Sequence, residues 1–150
     1  MSSLLSELRS KVLDNGAAQT RFGERVYLYV VPQKLRDATG TVANSYLPFA
    51  VLEIDNAEHS HSVEGFTGYV EADVTAYVYG ATFDQCNAAS EDFRRSLDAF
   101  RGELGEYDIQ AVMFTTFNDQ YFDDVFGGEK GVYSREFDIR VMYNIQHIDT

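Results

Sequence analysis

The clearest pattern along the chain lies at residues 69–79 (YVEADVTAYVY), where small apolar side chains alternate with polar and aromatic ones. The apolar positions are Val70, Ala72, Val74, Ala76 and Val78. A period of two with one apolar face predicts a half-buried strand. Alternation, or enrichment in β-branched and aromatic residues, likewise predicts strands at 25–31, 48–54, 108–117 and 132–143. In the last of these strands Arg135 interrupts the apolar row.

Two stretches have a helical period instead. Thr82 and Gln85 have the spacing of a capping box, in which two side chains satisfy free N–H groups at a helix start. Apolar residues then recur every three or four positions from Phe83 to Leu104, which predicts one buried stripe on a long helix. A shorter amphipathic helix is predicted at residues 4–15, where Gly16 offers a stop.

The predicted order of elements is therefore α-β-β-β-α-β-β. We expect an α+β fold with a single, mostly antiparallel sheet of about five strands and two helices on one face. The 150 residues are expected to form one domain. Polar stretches at 17–24, 33–46, 55–66 and 118–131 are predicted to be connecting segments.

The net charge of −12 and the isoelectric point near 4.5 narrow the classes of partner. Binding to a nucleic-acid backbone or to an anionic membrane needs clustered lysine and arginine, so neither is expected. No apolar stretch approaches the ~20 residues of a membrane-spanning helix, and no membrane association is predicted. The N-terminus shows no secretory pattern and the chain has one cysteine, so we expect synthesis in a reducing cytoplasm.

One histidine pair could belong to a metal site. His59 and His61 lie among Asp55, Glu58 and Glu64, and a His-x-His spacing on a strand places both rings on one side. Short motifs of this kind also occur by chance in solvated polar loops. The solvated loop is the favoured interpretation, and no metal site is predicted.

Catalytic chemistry has two weak candidates. Glu71 and Asp73 share the polar face of the 69–79 strand and could act as an acid/base pair. A solvated or interface face is the favoured interpretation, because no histidine, lysine or nucleophile accompanies them. Cys86 falls on the apolar stripe of the long helix, where a small core residue is more common than a nucleophile. There is no glycine-rich phosphate loop, no G-x-S-x-G and no Cys-x-x-Cys. We therefore predict no catalytic residues and no cofactor.

The segment 118–131 (NDQYFDDVFGGEKG) is longer than a hairpin turn requires. Its aromatic and acidic residues predict a protein-interaction loop, because aromatic side chains on a connecting loop provide a surface for a partner. The residues assigned to this loop are Tyr121, Phe122, Asp123, Asp124, Val125 and Phe126. The alternative is that the aromatic rings fold back onto the sheet edge.

Six segments follow one another in a recognisable order. They are LLSELRSKV, RVYLYVVPQ, LPFAVLEI, YVEADVTAYVYG, ATFDQCNAASEDFRRSL and GVYSREFDIRVMYN. This order resembles the tail-completion, or tail-terminator, family of tailed bacteriophages and related prophage and gene-transfer particles. The resemblance covers nearly the whole chain and consists of hydrophobic spacing rather than of catalytic signature residues.

The resemblance implies a non-enzymatic structural protein of the virion, located in the tail or neck. Family members typically form a ring, often a hexamer, that caps the head-proximal end of the tail tube and joins it to the head-side connector or head-closure protein. DNA passes through the lumen without sequence-specific binding. We therefore predict that acidic residues line this lumen, with Glu71, Asp73, Asp119 and Glu129 as candidates.

Two alternatives remain at this point. One is a small cytoplasmic enzyme or ligand-binding α+β domain that uses the face carrying Glu71 and Asp73. The other is a different neck or tail component of the same particles, such as a head-closure or tube protein.

Overall fold

The computed structural model describes residues 3–29, 47–62, 65–122 and 132–145, with only the backbone described at 60–62, 65–67 and 122. Three helices and six strands lie in these ranges. In chain order they are α1 (Leu4–Asp14), α2 (Gly16–Phe22), β1 (Val26–Leu28), β2 (Phe49–Ser62), β3 (Gly65–Gly80), α3 (Phe83–Leu97), β4 (Gly102–Leu104), β5 (Tyr107–Phe122) and β6 (Val132–Ile145).

The strands form one curled sheet in the order β1-β2-β3-β6-β5-β4. β1 runs parallel to β2, and all other neighbours are antiparallel. The α+β class is as predicted, but the expected order α-β-β-β-α-β-β, with about five strands and two helices, is wrong. The described residues form a mixed six-stranded sheet with three helices. β4 has only three residues, too few for any periodicity, and the parallel pairing of β1 depends on contacts distant in sequence.

The segment 17–24 was predicted to be a linker, but most of it forms α2. The Asn15 side chain accepts a hydrogen bond from the Ala18 N–H at 3.1 Å, which caps a second helix directly after the first. Ala18 and Phe22, four residues apart, are fully buried. Seven residues are too few for a clear helical pattern. Gly16, which was predicted to end the first helix, is the first residue of α2.

Two predicted loops contain strand in their described residues. β2 and β3 continue through most of 55–66, and β5 continues to Phe122 instead of ending at 117. Residues 55–59 and 115–121 are exposed, so these extensions lack the buried face that produces an alternating pattern. The rest of the predicted loops, 33–46 and 123–131, falls outside the described residues.

The strand-to-helix unit formed by β3 and α3 is confirmed at its junction. The Thr82 hydroxyl accepts from the Gln85 N–H at 3.1 Å, and the Gln85 side chain accepts from the Ala81 N–H at 2.7 Å. A Cβ atom at Gly80 would lie 2.6 Å from the Cys86 backbone nitrogen, so the turn requires glycine there.

The far end of α3 differs from the prediction. The helix ends at Leu97, and Leu104 lies on β4, from which it packs against the core. Phe83, expected on the buried stripe, is 50% exposed because it stands at the first position of the helix.

The core joins all three helices to one face of the sheet, here called the helix face. Phe93 of α3 lies at its centre, with its ring 6.2–6.3 Å from those of Phe22, Phe114 and Phe137. The five small apolar residues predicted on β3 are at most 1% exposed and belong to this face. The opposite face, which carries Glu71 and Asp73, is called the outer face.

A second cluster of buried residues lies apart from the main core. It consists of Leu47, Phe49, Val51 and Val132, with Tyr27, Tyr77, Tyr79 and Ala81 packed against it. Phe49 stacks on Tyr79 with ring centroids 4.8 Å apart. Tyr77 and Tyr79 alternate with the core residues of β3, so this cluster covers one end of the outer face.

Candidate interaction surfaces

The outer face of β2, β3 and β6 is strongly acidic. Its carboxylates are those of Glu53, Asp55, Glu58, Glu71, Asp73, Glu136 and Asp138. They share one face because each alternates with core residues along its own strand, or is paired across strands with a residue that does. Arg140 is the one arginine or lysine on this face among the described residues of the four long strands. Much of the negative charge is therefore concentrated on one surface.

Glu71 and Asp73 are brought together around Arg140. The Arg140 guanidinium lies 3.8 Å from the Glu71 carboxylate and 3.3 Å from that of Asp73. The Tyr69 hydroxyl donates to Glu71 at 3.1 Å, and partial burial together with this carboxylate raises the pKa of Tyr69. The two acids therefore share a cation.

A groove of about 370 Å³ lies on the outer face beside this charge cluster. Its polar lining consists of Asp55, Asp73, Thr115, Asp138 and Arg140. Asp55 hydrogen-bonds to Thr75, and the Thr116 hydroxyl donates to Asp138 at 2.7 Å. These contacts occupy the carboxylates with partners inside the subunit. The described side chains include no group of three or more that could hold a metal ion.

The predicted histidine cluster lies where β2 and β3 pair beyond the core. His59 pairs with Val70 in the backbone register and His61 with Phe66, with an irregularity between the two pairs. The His61 side chain and Glu64 fall outside what the structure describes.

Asp119, a third candidate for the acidic lumen, lies on the helix face. It faces Arg135 across β5 and β6, and the Arg135 guanidinium donates to it at 2.6 Å and 3.1 Å. Arg135 is only 5% exposed, and its partner raises the pKa of the guanidinium. The arginine that interrupts the apolar row of β6 is therefore a buried cation with a carboxylate partner. Glu129 lies outside the described residues.

Cys86 is buried beneath this pair. Its Sγ lies 3.4 Å from the Val78 carbonyl oxygen and 3.9 Å from the Ser90 hydroxyl. Burial raises the pKa of the thiol, which keeps it protonated at neutral pH. The interpretation of Cys86 as a small core residue is confirmed by its burial.

Exposed aromatic rings surround the Arg135–Asp119 pair. Phe117 is 61% exposed, and the Arg135 guanidinium lies 4.6 Å from its ring centroid. Tyr121 is 53% exposed, and its ring centroid lies 4.7 Å from that of Tyr133. The Tyr133 ring in turn packs edge-on against Phe83, with ring centroids 6.1 Å apart. The aromatic surface consists of Phe83, Phe117, Tyr121 and Tyr133.

The aromatic surface overlaps the predicted interaction loop only in part. Tyr121 and Phe122 lie on β5, whereas Asp123, Asp124, Val125 and Phe126 fall outside the described residues. Phe83, Phe117 and Tyr133 were not predicted to belong to an interaction surface. The sequence contains one indication of this surface. Phe117 and Tyr121 are four residues apart on one strand, and an even spacing places both side chains on one face.

No helix within the described residues is long and apolar enough to cross a membrane. The chain matches no protein-family description and no curated protein. Among solved structures, "Virion of native gene transfer agent (GTA) particle" contains a chain that superimposes with a TM-score of 0.69 at 14% identity, covering 95% of each chain. A second structure, at a TM-score of 0.42 and 15% identity over 99% of this chain, is too dissimilar to support a shared fold. At 14% identity, the first similarity establishes a common fold.

Proposed function

We propose that this protein is a structural component of a tailed-phage virion or of a related gene-transfer particle. The observation that carries the proposal is the fold shared, over 95% of both chains, with a chain of the gene transfer agent particle. The order of hydrophobic segments, which resembles tail terminators, supports the same conclusion independently of the structure.

Within such a particle, we assign the protein to the tail terminator at the neck. As a single domain, it forms a ring, expected to be a hexamer, on the head-proximal end of the tail tube. Its partners are further copies of itself, the tube protein and the head-side connector. The interaction segment from Tyr121 to Phe126 provides contacts with these neighbours, and its described part lies beside exposed Phe117.

The distribution of charge suggests which surface meets DNA. On the outer face, the described residues of β2, β3 and β6 carry seven carboxylates and one arginine, whereas the helices cover the other face. A negative wall repels phosphates and prevents the multiple Lys and Arg contacts that would hold DNA in place. We therefore place Glu71 and Asp73 on the lumen wall. Asp119, which is paired with Arg135 on the helix face, would lie away from it.

Electron microscopy and native mass spectrometry test this function together. Purified protein should form closed rings, and mixing it with tail tubes that lack a terminator should place one ring on one end of each tube. Rings that never bind tubes would indicate another neck or tail component, such as a head-closure protein. A monomer that binds a small molecule in the groove of the outer face would favour a ligand-binding domain instead.

A further inference from the structure

The side of β5 that faces away from β6 is covered only at its beginning. β4 pairs with Tyr107, Asp108 and Ile109, and the Ala99 N–H donates to the Val112 carbonyl at 3.0 Å. Beyond that point, within the described ranges, residues 113–122 have β6 on one side and no strand on the other. This segment is here called the β5 edge. It presents a row of backbone groups that another strand could pair with.

One register irregularity lies between Phe114 and Thr116, and beyond it the β5 edge lacks the usual protection against pairing. Natural sheets protect such edges with charged side chains, proline or bulges that twist the strand away. The β5 edge contains no proline and one charged residue, Asp119, whose carboxylate is held by Arg135. Met113, Phe117 and Tyr121 are 42%, 61% and 53% exposed along the same ten residues. An edge whose one carboxylate is paired within the subunit, and which is flanked by exposed apolar groups, is typical of a pairing surface.

The other side of the sheet ends at β2, and its charges differ. β1 pairs with β2 only as far as Leu52 among the described residues, and residues 55–59 of β2 are exposed. This part of β2, here called the β2 edge, carries Asp55 and Glu58. Two β2 edges would place like charges opposite each other, which disfavours their pairing. The one carboxylate of the β5 edge is held by Arg135, so pairing of a β5 edge with a β2 edge meets no such repulsion.

Strand directions make the two edges compatible. β2, β3, β6 and β5 alternate in direction, so β5 runs opposite to β2. When a second copy is rotated into the next position of a ring, its β2 edge therefore lies antiparallel to β5 of the first copy. Each contact uses the β5 edge of one copy and the β2 edge of the next. Contacts of this head-to-tail kind form a closed ring when the rotations between successive copies add up to a full turn.

We infer that the β5 edge of one copy pairs antiparallel with the β2 edge of a second copy of this chain. The inference identifies the contact within the ring and rests on the proposed function for the existence of that ring. The sheet then continues from copy to copy, with the acidic outer face turned to one side throughout.

Trapping by disulfides tests the pairing directly. Asn118→Cys or Gln120→Cys on β5 is combined with Asn56→Cys or Glu58→Cys on β2, which gives four double variants in a Cys86→Ser background. All four positions are on exposed strand segments. Two cysteines can be bridged only when their Cα atoms lie within about 7 Å, so the four combinations sample neighbouring registers. If the Cys86→Ser variant has a lower melting temperature than the wild type, the double variants are made with the native Cys86, which is buried.

We expect at least one double variant to give a ladder of covalent oligomers upon oxidation, whereas the single variants give none. Covalent dimers from Asn118→Cys or Gln120→Cys alone would indicate pairing of two β5 edges and would overturn the inference. Rings in native mass spectra without cross-links in any double variant would also overturn it, yet would leave the proposed ring intact. Cross-linked rings that fail to cap tubes would support the inference and contradict the terminator function.

A matched pair of charge variants provides a second test. Gln120 is exposed and lies opposite uncharged Ser134 within the subunit, so a charge there has little internal effect. Gln120→Glu should lower the fraction of oligomer, because the new carboxylate would approach the acidic β2 edge, whereas Gln120→Lys should preserve it. Equal loss in both variants, with unchanged melting, would overturn the pairing of β5 with β2.

Discussion

Arg135 on β6 and Asp119 on β5 form a bidentate ion pair on the helix face of the sheet. The two hydrogen bonds measure 2.6 Å and 3.1 Å, and the arginine side chain is 6% exposed against 36% for the aspartate. Planar, two-bond geometry of this kind matches guanidinium to carboxylate. Because the arginine is the buried partner, the pair serves mainly to make its burial tolerable.

The first prediction concerns this pair. Asp119→Ala should destabilise the fold by roughly 1–3 kcal/mol, because it removes two hydrogen bonds from a buried cation that cannot readily lose its proton. Urea unfolding measures the change, and Glu103→Ala, which removes an exposed carboxylate of β4, is the control. Equal stability of the two variants would show that water replaces Asp119 at no cost.

The second prediction compares two phenylalanines of α3. Phe93→Ala should destabilise by about 3–5 kcal/mol, because it leaves a cavity among the rings of Phe22, Phe114 and Phe137. Phe83→Ala should cost less than about 1 kcal/mol, because half of that side chain is already exposed. Thermal melting of both variants checks the contrast, and similar losses would place Phe83 in the core after all.

The third prediction concerns alkaline pH. Burial and the nearby carboxylates of Glu53 and Glu136 raise the pKa of Tyr77 and of Tyr79 in the folded protein. The stabilisation that comes from keeping these phenols protonated is complete below the unfolded pKa of about 10 and is lost as pH rises towards the folded values. Unfolding free energy should therefore fall above pH ~10.

Tyr79→Phe is the variant that checks this pH dependence. Its free energy of unfolding should decrease less per pH unit above pH ~10 than that of the wild type, because one shifted phenol is gone. Urea titrations across this range measure both slopes. Identical slopes would show that Tyr79 ionises equally easily in both states.

The fourth prediction concerns DNA. The wild-type protein should not retain duplex DNA in a mobility shift at about 0.15 M salt, since the net charge is −12 and the outer face carries one arginine among the described residues. Glu58→Lys combined with Glu136→Lys should introduce weak, salt-sensitive retention. Tight binding by the wild type that weakens steeply with salt would reveal a basic surface and contradict an acidic lumen.

The fifth prediction concerns the aromatic surface. Phe117→Ser with Tyr121→Ser should reduce ring formation or tube capping and leave the melting temperature nearly unchanged, because both side chains are more than half exposed. Aromatic anchors buried at an interface can each contribute about 2 kcal/mol or more. Tyr29→Ser, an exposed tyrosine next to β1, is the control. Unfolding of the double variant would assign these rings to the subunit's own stability.

The sequence by itself determined the long elements that bury one face over several turns or strand residues. β3, β6 and the first four turns of α3 were predictable because burial of one face imposes a period of two or of about 3.6 on the residues. The burial of Cys86 and the shared face of Glu71 and Asp73 followed from the same periodicity.

The tertiary structure alone decided the elements and contacts that leave no such period. α2 is short, β4 is shorter still, and the outer parts of β2 and β5 are exposed on both faces, so nothing in their composition separates them from loops. The pairing of Arg135 with Asp119, 16 residues away, and of Arg140 with Asp73, 67 residues away, depends on strand register. Register depends on how the buried faces of two strands and the connection between them fit together, so it is not apparent in the residues of either strand alone.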